Sequence, residues 1–137
     1  VQFNENYHLE LERRAVQTTH VYGLIKPPKG IFYLVWVDED PVGMGGLYRN
    51  NFEIAEIKRM YIKPKYRGNG FGKKLVKLLI EEARFMNIKI IRLDTMKHMS
   101  TAHALYRSFG FKERAPYSDR IKDELKPYYL FMELQLQ

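Results

Sequence analysis

Arg67-Gly68-Asn69-Gly70-Phe71-Gly72 is the stretch whose residue types and spacing point most directly to chemistry. Glycine at alternate positions removes Cβ from every second residue, so backbone amides turn inward and approach a ligand closely. The helical pattern that starts at Phe71 adds free N–H groups and the positive end of a dipole, both favouring an anion. Arg67 adds a forked donor suited to phosphate. The combination predicts a pyrophosphate cradle at a strand–turn–helix junction; the competing reading is a tight basic turn that binds nothing. Two nucleotide motifs fail letter by letter. A P-loop ending at Gly72-Lys73 needs Gly at Arg67 and Ser or Thr at Lys74. A dinucleotide fingerprint puts its third glycine on Lys73.

The elements that must hold this loop follow from periodicity. Ile54–Ile62 predicts the strand before it, and Phe71–Asn87 the helix after it. In that helix Leu75, Val76, Leu79, Ala83 and Met86 recur on one face. Ile88–Thr95 reads as a short apolar strand, so strand, helix and strand form a β-α-β crossover with parallel neighbours. Upstream, Ile31–Val37 and Val42–Tyr48 read as strands, the second loosened by Gly43, Gly45 and Gly46; with Ile54–Ile62 they predict an antiparallel meander. Val1–Val16 reads as a short amphipathic helix and His20–Pro28 as a weaker helix or loop. Downstream, Met99–Ser108 is a second helix with Ser100 or Thr101 as N-cap and Gly110 at its end. Phe111–Arg114 starts a strand, Ala115–Lys126 is a polar loop, and Pro127–Leu136 is the last strand.

The chain has 137 residues, 45% apolar and 28% charged, which predicts one globular domain spanning 1–137. With no cysteine there is no disulfide, thiolate catalyst or cysteine metal site, and a cytoplasmic setting is expected. No apolar run approaches ~18 residues and no signal-peptide pattern opens the chain, so no membrane partner is expected. The net charge of +7 suits nucleic acid, an anionic cofactor, or solubility alone. Lys63, Lys65, Arg67, Lys73, Lys74 and Lys77 cluster around the glycine loop, as a ligand with several phosphates would require. Helix-turn-helix, RNA-recognition and zinc-finger patterns are missing, so no nucleic-acid partner is expected. His98 and His103, five apart, fall on different helix faces; no metal is expected, and His103 reads as a surface residue.

Arg-Gly-x-Gly-x-Gly with Leu75 three residues on resembles motif A of the GNAT (GCN5-related) acetyltransferases, whose loop holds the pyrophosphate of acetyl-CoA. Further stretches agree. Ala55-Glu56-Ile57-Lys58-Arg59-Met60-Tyr61-Ile62-Lys63-Pro64 is similar to the family's central strand, and Leu93-Asp94-Thr95 to the end of the next one. Ala102-x-x-Leu105-Tyr106-x-x-x-Gly110-Phe111 is similar to motif B. The resemblance spans about Ile31 to Leu136. It implies a mixed α/β (α+β) fold: a central mixed sheet with an antiparallel meander, a β-α-β crossover and a C-terminal hairpin, here with the first strand missing. Met99 stands where many members carry Asn, a departure that touches one contact to the cofactor arm.

The resemblance implies acetyl-CoA as co-substrate and direct attack by a primary amine. Arg67, Gly68, Asn69, Gly70, Phe71, Gly72 and Lys73 are then cofactor-binding, joined by Met60, Tyr61 and Ile62, whose backbone pairs with the pantetheine arm. A free amine is mostly protonated at neutral pH, so a proton must leave. The developing oxyanion needs donors and the departing thiolate an acid. Tyr106 is the candidate acid, against the bland reading of a packed helix tyrosine. Glu56 is the candidate base, against a strand carboxylate paired with Lys58 or Arg59. Asp94, at the carboxyl end of its strand, is the candidate holder of the substrate cation, with Glu53 in reserve. A small-molecule amine is the expected acceptor. A protein or peptide amine and a non-catalytic acyl-CoA-binding domain are the alternatives, and oligomeric state is not legible.

Overall fold

The structure is a computed structural model and describes residues 9–14 (as backbone), 30–117 and 121–136. Seven strands form one sheet in the order β1-β2-β3-β4-β5-β7-β6. They are β1 Leu9–Arg14, β2 Gly30–Val37, β3 Asp40–Arg49, β4 Ile54–Ile62, β5 Ile90–Met96, β6 Lys112–Arg114 and β7 Tyr129–Gln135. Helix α1 is Phe71–Phe85 and helix α2 is Ser100–Ser108. The meander β1–β4 is antiparallel, β4 and β5 are parallel, and β7 pairs antiparallel with both β5 and β6. The mixed sheet, meander, crossover and terminal hairpin are those expected.

The amino-terminal expectation needs correction. Leu9–Arg14, inside the stretch read as a helix, is a strand whose residues pair with β2 from Leu9↔Val37 to Arg14↔Phe32. Leu-Glu-Leu-Glu alternates with period two, the strand period, and the exposed edge of β2 supplies its hydrogen bonds. The first strand is therefore present rather than missing. The segment His20–Pro28 lies outside the described residues.

Helix α1 buries Phe71, Leu75, Val76, Leu79, Ile80 and Ala83 against the sheet. Their neighbours in the core include Val35, Leu47, Ala55, Ile57 and Ile91. At ~1.5–3 kcal/mol for each large side chain, this burial far exceeds the ~1 kcal/mol that a good N-cap supplies. The helix can thus begin at Gly70 with no side-chain cap. Asn87, at φ 60, and Gly110, at φ 99, close α1 and α2 in the same way. Ile88 N–H bonds Ala83 O at 2.9 Å, and Phe111 N–H bonds Tyr106 O at 3.2 Å, the long-range bond of a Schellman turn. Met99, not Ser100 or Thr101, is the residue at the start of α2, and no side chain caps it. Among the described residues no helix is long and apolar enough to cross a membrane.

The glycines of β3 do more than loosen a strand. A Cβ at Gly45 would collide with Met60 Sδ and stand 3.0 Å from Leu75 Cδ2, so the bare backbone admits α1 and β4 side chains together. Gly45→Val is expected to destabilise the fold by ~1–3 kcal/mol, the usual penalty of overpacking. A urea titration with an unmoved midpoint would contradict this.

Candidate active site

β4 and β5 pair only at Ile54↔Ile90, Ala55↔Ile91 and Glu56↔Arg92. Beyond that third rung they part. The reason lies in β4, where two residues, Arg59 and Met60, stand opposite the single Gly45. Arg59 sits at φ 61, in the left-handed region that non-glycine residues rarely occupy. Such a bulge bends and twists its strand. β5 meanwhile runs on beside β7, through Asp94↔Phe131 to Met96↔Tyr129. A cleft of about 1160 Å³ opens between the strands.

The glycine loop lines part of that cleft. Gly68 and Gly70 have φ 81 and 82, and a Cβ on either would meet nothing within 4 Å. Their side-chain space is thus open to a ligand. Gly72 also lines the cleft; a Cβ there would stand 3.4 Å from Leu105 Cδ2, an ordinary contact. Arg67 Nε donates to Ile62 O at 2.7 Å, and its guanidinium lies 5.4 Å from the centre of the Tyr61 ring. Asn69 Nδ2 donates to Tyr66 O at 3.1 Å and so braces the loop; Asn69 does not line the cleft. Met60, Tyr61, Ile62, Gly70, Phe71 and Lys73 line it, Phe71 with its ring in the core.

Glu56, Asp94 and Tyr106 line the same cleft, with Asp94 in electrostatic reach of the other two. Glu56 occupies the last rung before the strands part and is only 3% exposed. It accepts from Asn50 Nδ2 at 2.7 Å, and Lys58 Nζ lies 3.8 Å away, which offsets the penalty of burying a charge. The pairing with Lys58 that stood against a catalytic reading is therefore present, in a carboxylate that nonetheless faces the cleft. Asp94 is open to the cleft. Its own partial burial raises its pKa above the usual carboxylate range, the Glu56 charge adds to this, and a hydrogen bond from Tyr117 opposes it. Tyr106 is buried, its ring edge against Phe111 at 5.7 Å. Burial, then the Asp94 charge, push its phenol up to about 12.

Glu53 does not join this group. It stands in the β3–β4 turn at the closed end of the β4–β5 pair, exposed and 3.0 Å from Lys89 Nζ. His103, expected on the surface, is buried; its Nε2 lies 2.9 Å from Met96 O and ties α2 to the end of β5. His98 is exposed at the cleft. Among the described residues no group of His, Cys, Asp and Glu could hold a metal.

Sequence reasoning missed Tyr117 and Asn50. Tyr117 lies in the polar loop after β6, yet its hydroxyl donates to Asp94 Oδ2 at 3.4 Å. Its only sequence signal is that it is the one aromatic residue of the run Ala115–Lys126. Asn50 reads as a plain turn residue, and nothing local tells that it reaches Glu56.

The family model described as "Acetyltransferase (GNAT) family" matches residues 2–111. An IAA acetyltransferase of Azospirillum brasilense is 37% identical over 82 residues, 60% of this chain and 52% of that protein. The chain spans between 30% and 57% of the length of this and similar relatives. Among solved structures, a Klebsiella pneumoniae protein assigned to the acyl-CoA N-acyltransferases superposes with TM-score 0.81 at 26% identity, over 94% of this chain and 98% of its own. A Bacillus subtilis acetyltransferase in complex with CoA superposes with TM-score 0.70 at 21% identity, over 95% and 100%.

Proposed function

The chain belongs to the GNAT acetyltransferase family, and from that premise we propose that it is an acetyl-CoA-dependent N-acetyltransferase acting on the primary amine of a small molecule. One observation carries the reading. The strands β4 and β5 part into a cleft lined both by the glycine loop and by two carboxylates and a phenol.

The residues present fit the cofactor. The cradle holds open the very space that a Cβ at Gly68 or Gly70 would fill. The uncapped start of α1 leaves first-turn amides for a pyrophosphate. Arg67 and Lys73 add charge, and the β4 backbone over Met60–Ile62 faces the cleft for an extended arm. Asn69 acts on the cofactor only through the loop it braces. When bound, acetyl-CoA supplies the thioester whose acyl carbon bonds to the acceptor nitrogen as the carbon–sulfur bond breaks.

The chain's own groups do the rest. Asp94 and Glu56 put negative charge in the cleft of a protein of net charge +7, which draws in an ammonium head group. The ammonium proton leaves to a carboxylate, Glu56 or Asp94, directly or through water. Tyr106 keeps its own proton at neutral pH and presents it to the sulfur. The similarity to an IAA acetyltransferase supports a small acceptor.

Release of free CoA in the presence of acetyl-CoA and a panel of amines tests the proposal. CoA binding without release, with every amine, would mark a binding domain instead. In an active protein, Glu56→Gln with Asp94→Asn is expected to lower kcat/KM for the amine by about 10²-fold or more, since both attraction and proton acceptance are lost. A parent rate and pH profile in that double variant would remove both acids from the site.

A further inference from the structure

We propose that Tyr117 is the positioning residue of the acceptor site, holding the Asp94 carboxylate toward the place where the acceptor ammonium docks. This rests on the reading of Asp94 given above.

Tyr117 lies outside any strand or helix, yet three strands hold its ring. Phe131 of β7 meets it edge-on at 5.4 Å. The guanidinium groups of Arg92 on β5 and Arg114 on β6 lie 5.4 and 5.6 Å from its centre. Both arginines are themselves fixed, donating to the same Glu133 Oε1 at 3.0 and 2.7 Å. Burial pushes Glu133 up, but these two hydrogen bonds and charges prevail and hold it below the usual carboxylate range, so the anchor keeps its charge. These supports hold the ring from three strands, and its hydroxyl stands 3.4 Å from Asp94 Oδ2. That distance is at the long end of a hydrogen bond.

Asp94 needs such a partner. Glu56 of β4 faces it with like charge, and Lys58 is paired with Glu56. Tyr106 faces it from α2, and Arg92 on its own strand is committed to Glu133. Tyr117 is the neighbour that donates a hydrogen bond to it among the described residues. The donor favours the anion and fixes its direction, both of which an incoming cation requires. Tyr117 ionises less readily than an ordinary tyrosine, through burial and the Glu56 and Asp94 charges, so it remains a donor.

Tyr117→Phe keeps the ring and its supports and deletes only the hydroxyl. Two readouts test the role. NMR titration of the Asp94 carboxyl, which needs no activity, is expected to give a higher pKa in the variant than in the parent. Kinetics are expected to show an amine KM raised about tenfold, the scale of one hydrogen bond to a charged group, with CoA affinity unchanged. The acid limb of kcat/KM should move to higher pH, because an Asp94 without its donor protonates sooner as pH falls. An unmoved Asp94 pKa overturns the proposal, whatever the kinetics. A shifted pKa with unchanged amine KM and pH profile overturns it too, since Asp94 would then not dock the amine. Should the parent transfer acetyl to no amine, the acetyltransferase reading falls separately, and the titration alone decides whether Tyr117 holds Asp94.

Discussion

Tyr106→Phe is expected to slow the chemical step by about 10²–10⁴-fold, the usual worth of a general acid, while CoA affinity holds nearly constant. The ring is what packs: it is 6% exposed and meets Phe111 edge-on, and phenylalanine preserves both features. The hydroxyl is the group proposed to give up a proton. With its pKa pushed to about 12, it carries its proton throughout the neutral range. The alkaline limb of activity is therefore expected to come from other groups. The linkage sign supports the variant as a clean probe. In the unfolded chain the phenol ionises near ~10, and in the folded protein at about 12. The stability tied to keeping it neutral is whole below ~pH 10 and is lost as pH rises toward about 12. At pH 7 the phenylalanine variant should therefore melt near the parent. Single-turnover rates are the proper measurement, because slow product release hides a chemical defect. An unchanged single-turnover rate on a true acceptor would remove Tyr106 from the mechanism, and a tenfold loss of CoA affinity would recast it as a binding residue.

Gly70→Val should abolish cofactor binding, an effect of at least about 10²-fold, with a smaller effect on the fold. Two causes act together. At φ 82 a branched residue is strained by roughly 1–2 kcal/mol or more. The added side chain also enters space that no protein atom within 4 Å of its Cβ occupies. The fold therefore bears only the backbone strain, while the volume falls on the ligand. Calorimetry with CoA reads the binding, and a melt in the same buffer reads the fold. Undiminished affinity in a folded variant would refute the cradle.

What the sequence reveals here depends on how local the cause is. α1 is legible because its apolar face repeats over four turns, and β4 because its bounds follow from composition and the turn after it. The cradle is legible because its conformation needs glycine at Gly68 and Gly70, and need leaves a trace in residue type. Leu9–Arg14 misled because a short alternation among charges also fits an amphipathic helix, and only the free edge of β2 decides between them. His103 misled because helix spacing says which residues share a face, not which face is covered. Glu53 and Glu56 look alike on paper; one lies at the closed end of a strand pair and the other where it opens. Tyr117 was invisible because its partners, Asp94 and Phe131, are distant in sequence and met only through the sheet.

A sheet ordinarily shows unpaired backbone only along its two outermost strands. Among the described residues, β4 and β5 also lose each other as strand partners inside the sheet, after Glu56 and Arg92. A border of that kind is a template, and it accepts any extended chain, including one from another protein. Regularity is what a foreign strand would need, and Arg59 denies it: the left-handed residue and the extra position break the spacing of donors and acceptors on the β4 side. The same distortion that parts the two strands thus discourages a peptide strand from adding there.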